Sequence, residues 1–213
     1  MGRGSSGGGS GRYGGGNGLN PADIKGTELM TWSGQRTKAE QDFFDVAQDL
    51  HNTYGNDVLP QDFFVIADID PRARAIAYYD GANVGLNRNY MDDKMLTRVY
   101  ADCVSSGFHP SNGSKSAAEA VAAHELGHRL TDAVGERMGG VTLREAATRI
   151  VNEARRSTSH RGVVQMAAKI SKYATANNAE AIAEAFADVY CNGNNAHAES
   201  RAIMAVVNRY LGV

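Results

Sequence analysis

An alanine-rich stretch, AAEAVAAHELGHRLTDAVGE at residues 117–136, constrains the fold more than any other segment. Ser116 and Glu119 match the capping-box pattern, which predicts that a helix begins at residue 117. Gly135 is typical of the position just after a helix, so we expect the helix to end there. The flanking side chains are small or apolar, so this helix is expected to be buried against other elements.

The same helix carries the motif H-E-x-x-H at residues 124–128. His124 and His128 are four residues apart, which places both imidazoles on one face, where both can bind one Zn²⁺. Glu125 would then take a proton from the water at the open side of the metal. The alternative is a helix with two surface histidines and a solvated Glu125. Buried histidines without partners are costly, so the apolar flanks favour zinc.

A catalytic zinc site needs a third protein ligand and leaves its fourth position to water. The metzincin continuation would place glycine at position 131 and histidine at position 134, but these are Thr131 and Val134, which excludes that class. The other histidines lie in no paired pattern and are expected to be surface or loop residues: His51, His109, His160 and His197. Of these, His109 stays open as a contributor because it lies just upstream of the helix.

A second helical pattern, at residues 178–190, carries a row of carboxylates on an alanine-rich background. Glu180, Glu184 and Asp188 recur every four residues and therefore share one face. One carboxylate can ligate zinc, and one a turn later can accept the N–H of a ligand histidine and hold its orientation. The alternative is a row of ordinary exposed acids. The segment lacks lysine and arginine, which favours the metal-site interpretation.

Taken together, HELGH and the later segment KYATANNAEAIAEAFAD resemble the gluzincin peptidases of the anthrax lethal factor type, which include the Pro-Pro endopeptidases. In that family a tyrosine precedes the ligand glutamate by seven residues, as Tyr173 precedes Glu180 here, and the glutamate opens an E-x-x-x-E-A-F helix, matched here through Glu184. The resemblance covers residues 117–190. Neither the toxin role nor the proline preference carries over, because this chain lacks the toxin's large recognition regions and the pocket loops cannot be aligned.

The resemblance implies a zincin-like domain in which Glu180 is the third zinc ligand. It also implies that Glu184 supports the site from behind the ligands, and that Tyr173 donates its phenol to the oxyanion of the reaction. In a zincin domain a strand near the active-site helix pairs with an extended substrate, and residues 75–87 are the expected source of that strand.

The remaining patterns predict an α+β fold in which one helix precedes a small sheet and several helices follow. The first helix is expected to begin after Thr37, which forms a capping box with Glu40, and to end at Gly55. The strand at residues 63–70 is followed by a hairpin at 75–87 that turns at Asp80-Gly81. Further helices are expected at residues 92–105, 142–156, 163–173 and 199–211, with a loop at 107–114.

Composition and charge limit the classes of binding partner that we expect. A net charge of −2 does not indicate a nucleic-acid or membrane surface, and no apolar run approaches the roughly 18 residues of a spanning helix. The N-terminus lacks the apolar region of a secretory signal, so we expect a cytoplasmic or virion-associated protein. Residues 1–19 are glycine-rich and are expected to be a disordered tail, with one domain over 20–213.

Two functions follow from these patterns. The first is a zinc-dependent endopeptidase that uses Glu125 as general base on a peptide or protein substrate. The second is a non-catalytic zinc-stabilised structural or interaction module, for example a phage virion component. A purely structural site needs neither Glu125 nor Tyr173, and it is usually closed by four protein ligands, so the patterns favour the enzyme. Cys191, at the end of the acidic helix, remains open as a fourth ligand.

Overall fold

The computed structural model describes residues 19–30, 36–55, 58 and 64–213. The predicted disordered tail lies outside the described residues except for its last residue, Leu19. In the described part, the helices are α1 Lys38–Tyr54, α2 Asp93–Ser105, α3 Ala117–Arg137, α4 Leu143–Arg156, α5 Val163–Ala167, α6 Asn178–Asn192 and α7 Ala198–Leu211. The strands are β1 Ile24–Leu29, β2 Phe64–Ile69, β3 Ala77–Tyr79 and β4 Val84–Asn87. The predicted α+β class is confirmed.

Local capping determines where the predicted helices begin. Both predicted capping boxes are present, at Thr37–Glu40 before α1 and at Ser116–Glu119 before α3. In each box the hydroxyl accepts the N–H of the glutamate and the glutamate accepts the N–H of the cap residue, which satisfies two otherwise unpaired donors. The predicted end of α1 at Gly55 is also confirmed.

The described strands form one mixed sheet in the order β1-β2-β4-β3. The β3–β4 hairpin is antiparallel and turns at Asp80-Gly81, as predicted, whereas β2 and β4 run parallel. Strand β1 was not predicted, so the expected order, with a helix first, was wrong. Its side chains are largely exposed and follow no apolar alternation, and antiparallel pairing with β2 is what holds it in the sheet.

Two predicted boundaries in the helical part were wrong. Helix α3 does not end at Gly135 but continues to Arg137, and the chain turns at Gly139 and Gly140, which have positive φ angles. The predicted helix at 163–173 stops at Ala167. Its continuation turns away because the backbone N–H groups of residues 172 and 173 donate to the carbonyl groups of residues 107 and 108.

Helix α3 lies at the centre of the core. It contacts α1, α2, α4, α6, α7 and β3, and almost all of its residues are buried. Alanine suits this position because small side chains let several neighbours approach a single helix. No helix in the described part of the chain combines the length and the apolar character needed to cross a membrane.

Candidate metal centre

The two motif histidines lie on the face of α3 that packs against α6. His124 is 5% exposed and His128 is 1% exposed, so neither is a surface histidine. Gly127, between them, makes the close approach possible, since a Cβ atom there would lie 2.7 Å from the Cα of Ala183 and 3.3 Å from the Cβ of Phe186. A larger residue at position 127 would separate the helix that carries the histidines from the helix that carries the carboxylates.

Helix α6 contributes Glu180 from its first turn. Its Oε2 atom lies 3.2 Å from Nε2 of His124 and 3.5 Å from Nε2 of His128. The donor atoms of these three residues lie within 4.8 Å of one another and form a group that could hold a metal ion. Each of the three atoms is buried, and apart from these close approaches to one another none has a hydrogen-bond partner among the described residues. Buried polar atoms without partners are costly, and a shared cation would satisfy all three at once.

Glu184, one turn later on α6, accepts three side-chain hydrogen bonds. Its Oε1 accepts from Nδ1 of His124 at 2.7 Å and from Nδ1 of His109 at 2.8 Å, and its Oε2 accepts from Oγ of Ser171 at 2.7 Å. Because a carboxylate only accepts, both histidines carry a proton on Nδ1. Nδ1 of His124 is therefore engaged by Glu184, and Nε2 is the atom that faces Glu180, the orientation that a metal ligand needs.

His109 and Ser171 were not assigned to the site from sequence. His109 was expected to be a surface or loop residue. It does lie in a loop, between α2 and α3, but it is 7% exposed and its ring stacks on Tyr100. Its position beside Pro110, just before α3, was the only signal in the sequence. Ser171 gave no signal because it lies in the part of the 163–173 segment that was expected to be helical but is not.

The side chain of Glu125 lies beside the candidate ligands, but its carboxylate makes no hydrogen bond with the described residues. It is 1% exposed, and both of its carboxylate oxygens lack a hydrogen-bond partner in the described part of the chain. Burial raises its pKa, because burial penalises the charged form, and the nearby His124 and His128 partly offset this effect. A buried carboxylate whose oxygens have no partner among the described residues is suited to accept a proton from a neighbouring group.

Tyr173 lies beside the candidate ligand His124. Its ring lies nearly parallel to that of His124, with 5.7 Å between centroids and 21° between planes. Phe108 stacks on Tyr173 at 4.9 Å. Burial raises the pKa of Tyr173, and the charges of Glu180 and Glu125 raise it further, so the phenol keeps its proton and can donate it in a hydrogen bond.

The histidines of the cluster shift the pKa values of its two glutamates. Burial alone would raise the pKa values of Glu180 and Glu184. The histidines outweigh it: His128 and His124 lower the pKa of Glu180, and His109 and His124 lower that of Glu184 to about 2. Both carboxylates are therefore charged at neutral pH, available as metal ligand or as hydrogen-bond acceptor.

Asp188, the third carboxylate of the row, has a different environment. Its Oδ2 atom accepts hydrogen bonds from the backbone N–H of His197, from Nδ1 of His197 and from Oγ of Ser200. Asp188 therefore anchors the start of α7, and of the three carboxylates in the row it is Glu180 and Glu184 that reach the histidines of α3.

The remaining candidates lie outside the cluster. His160 pairs with Glu199 on α7, and Cys191 belongs to neither of the groups that could hold a metal within the described residues. Burial raises the pKa of the Cys191 thiol to about 12, which favours its neutral form in the metal-free chain.

Comparisons with protein-family models, with curated proteins and with solved structures found no match to this chain. The resemblance to the gluzincin peptidases therefore stays a prediction that rests on the motifs. The geometry establishes something coarser, namely a buried group of histidine and glutamate side chains that could hold a metal ion.

Proposed function

We propose that this chain is a zinc-dependent endopeptidase of the gluzincin type with a zincin-like fold. The observation that carries the proposal is the convergence of His124, His128 and Glu180 on one point, with Glu125 beside them and its oxygens unengaged among the described residues. These residues come from two helices and are buried together. Ordinary solvent-exposed polar side chains would not be arranged in this way.

The donor set fits zinc. Two imidazole nitrogens and one carboxylate oxygen are the protein ligands of a common class of catalytic zinc site, in which the fourth position stays open. His124 and His128 would bind through Nε2 and Glu180 through a carboxylate oxygen. When bound, zinc would polarise the scissile carbonyl and lower the pKa of water to about 7.

The protein's own groups would do the remaining work. Glu125 would take the proton from the attacking water and deliver it to the nitrogen of the leaving amine, which needs a group that both accepts and donates. Tyr173 would donate a hydrogen bond from its phenol to the oxygen of the scissile carbonyl as negative charge develops there. Glu184 would keep the Nδ1 proton of His124 in place throughout.

Strand β3 supports the binding of an internal stretch of polypeptide. It is an edge of the described sheet, and its hydrogen bonds to β4 involve Ile76 and Asp80, which alternate with Ala77 and Tyr79. The backbone groups of Ala77 therefore point to the outer edge, where an extended substrate would pair with them. The ring of Tyr79 lies parallel to that of His128, which places this edge beside the candidate ligands.

A zinc-stabilised module without activity is the second candidate, and the deep burial of the cluster favours it, since Glu125 is 1% exposed. The two candidates differ in what Glu125 does. In an enzyme, Glu125→Ala keeps zinc but loses cleavage, whereas His128→Ala loses both. In a structural module neither the wild type nor the variants cleave. Zinc content by mass spectrometry, measured beside hydrolysis of a mixed peptide pool, separates the cases, and normal turnover by Glu125→Ala would remove the proposed mechanism.

A further inference from the structure

His109 belongs to the hydrogen-bonded cluster around Glu184 but lies outside both HELGH and the segment at residues 172–188. It lies on the loop between α2 and α3, and its Nδ1 atom is 2.8 Å from Oε1 of Glu184, a residue 75 positions away in sequence. Its ring is parallel to that of Tyr100 within 2°, at a centroid distance of 5.5 Å. A buried stacking partner on one face and a carboxylate at one nitrogen restrict the ring to one orientation.

Glu184 is held by donors from three separate segments. His124 comes from α3, His109 from the loop before α3, and Ser171 from the loop before α6. A glutamate carboxylate on a flexible stem would otherwise rotate about its terminal bond, whose preference is broad. Removal of the His109 donor would leave Oε1 restrained only by His124, the side chain that Glu184 itself has to orient.

The same loop also holds the segment that carries Tyr173. The backbone N–H of Tyr173 donates to the carbonyl of Phe108 at 3.1 Å, and the N–H of Lys172 donates to that of Gly107 at 2.9 Å. Ser171 completes the connection, because its Oγ accepts the N–H of Ala174 while it donates to Glu184. The loop at residues 107–109 therefore contributes both to the orientation of Glu184 and to the position of Tyr173.

A second metal ion is the competing explanation, because His109, His124 and Glu184 also form a group whose donor atoms lie close together. The distances argue against it. Two ligand atoms of a tetrahedral zinc ion, each about 2.1 Å from the metal, are roughly 3.3 Å apart. The observed separations of 2.7 Å and 2.8 Å are those of N–H···O hydrogen bonds to a carboxylate.

We infer that His109 is a positioning residue for the metal centre: through Nδ1 it holds Glu184, and through Glu184 it holds the His124 imidazole in the orientation that binds zinc. The inference rests on the proposed function, since it concerns the same metal. Partners one hydrogen bond removed from a metal ligand, as Glu184 is from His124, typically change metal affinity by about 10- to 100-fold when they are replaced. His109 lies one hydrogen bond further out, so we expect its effect at the lower end of that range.

Two substitutions at His109 separate the hydrogen bond from the packing. His109→Phe keeps an aromatic ring against Tyr100 but has no donor, and His109→Asn places an N–H group where Nδ1 lies. His160→Phe is the matched control, because it removes the histidine of another histidine–carboxylate pair, with Glu199. Each purified chain is checked for folding by its thermal melt. The zinc dissociation constant is then measured by chelator competition, and the visible spectrum is recorded with Co²⁺ in place of zinc.

We expect His109→Phe to weaken zinc binding about tenfold, at the lower end of that range, and to alter the Co²⁺ spectrum, with His109→Asn near the wild type and His160→Phe unchanged. Wild-type affinity and spectrum in His109→Phe would overturn the inference. So would two zinc equivalents in the wild type that fall to one in His109→Phe, since that outcome makes His109 a ligand. If the wild type binds no zinc, the proposed function falls and the inference with it. If His109→Phe does not fold, His109→Gln replaces it, because its donor is one bond too far to restore the contact.

Discussion

Gly127 is the position at which the packing of the fold and the geometry of the metal centre can be tested together. In Gly127→Ala the new Cβ would lie 2.7 Å from the Cα of Ala183, and ordinary carbon contacts are about 3.5–4.0 Å, so α3 and α6 must separate by roughly 1 Å. Overpacking of this kind costs about 1–3 kcal/mol, and the better helix propensity of alanine returns about 1 kcal/mol. We therefore expect the free energy of unfolding of the metal-free chain to fall by about 0–2 kcal/mol.

The substitution should also weaken zinc binding. Ligand distances in a metal site tolerate changes of only about 0.2 Å, and Glu180 lies on α6 within one turn of Ala183. We expect the zinc dissociation constant of Gly127→Ala to rise at least about tenfold, equivalent to about 1.4 kcal/mol. Urea unfolding of the metal-free chain gives the stability change, and chelator competition gives the affinity change.

Gly135→Ala provides a matched control on the same helix. Its Cβ would lie 2.7 Å from the carbonyl oxygen of Val141, an equally close contact, but with the turn after α3 rather than with α6. It should lose stability to a similar extent and keep the zinc affinity of the wild type. If Gly127→Ala binds zinc as tightly as Gly135→Ala, the close approach of α3 and α6 does not set the ligand geometry.

Three further predictions concern the roles assigned above. Tyr173→Phe should lower kcat by about 100-fold while zinc content and melting temperature stay unchanged, as measured by initial rates on the best peptide substrate; an unchanged kcat would remove its role at the oxyanion. Asp188→Ala should lower the free energy of unfolding by about 2–3 kcal/mol in urea titrations and leave zinc affinity within about twofold, since Asp188 anchors α7; a loss of zinc would make it part of the site. At free zinc about 1,000 times the dissociation constant, bound metal should add about 4 kcal/mol, so EDTA should lower the melting temperature by about 10 °C. A melt that is insensitive to EDTA would contradict a metal bound to the folded chain.

The parts of the site that lie on regular helices could be predicted from the sequence. Helical periodicity alone places His124 and His128 on one face of α3, and Glu180 and Glu184 on one face of α6. The capping box at Ser116 predicts the start of α3 correctly. The division of Glu180 and Glu184 into ligand and supporting residue was implied only by the family resemblance. In the structure Glu180 faces Nε2 of His124 and Glu184 accepts from its Nδ1, and the two roles stay a prediction.

The parts that depend on tertiary contact could not be predicted in this way. Gly135 illustrates the difficulty, because a glycine suits both the end of a helix and a close approach inside one, and only the contact with Val141 decides between them. The Gly139-Gly140 pair was the local signal for the true end. His109 has no periodic partner, and its role arises from a contact across 75 residues. Strand β1 is mostly exposed, so the pairing that stabilises it leaves little trace in its own composition.

A peptide-library digest analysed by mass spectrometry, with zinc-loaded wild type and Glu125→Ala run side by side, tests the proposed activity most directly. We expect the wild type to cut internal peptide bonds at a reproducible set of sites, and all of these cuts to vanish in Glu125→Ala while its zinc content stays the same. Cuts that persist in Glu125→Ala would contradict the role of Glu125. The absence of cuts by a zinc-loaded wild type would contradict a broadly acting peptidase and favour the zinc-stabilised module.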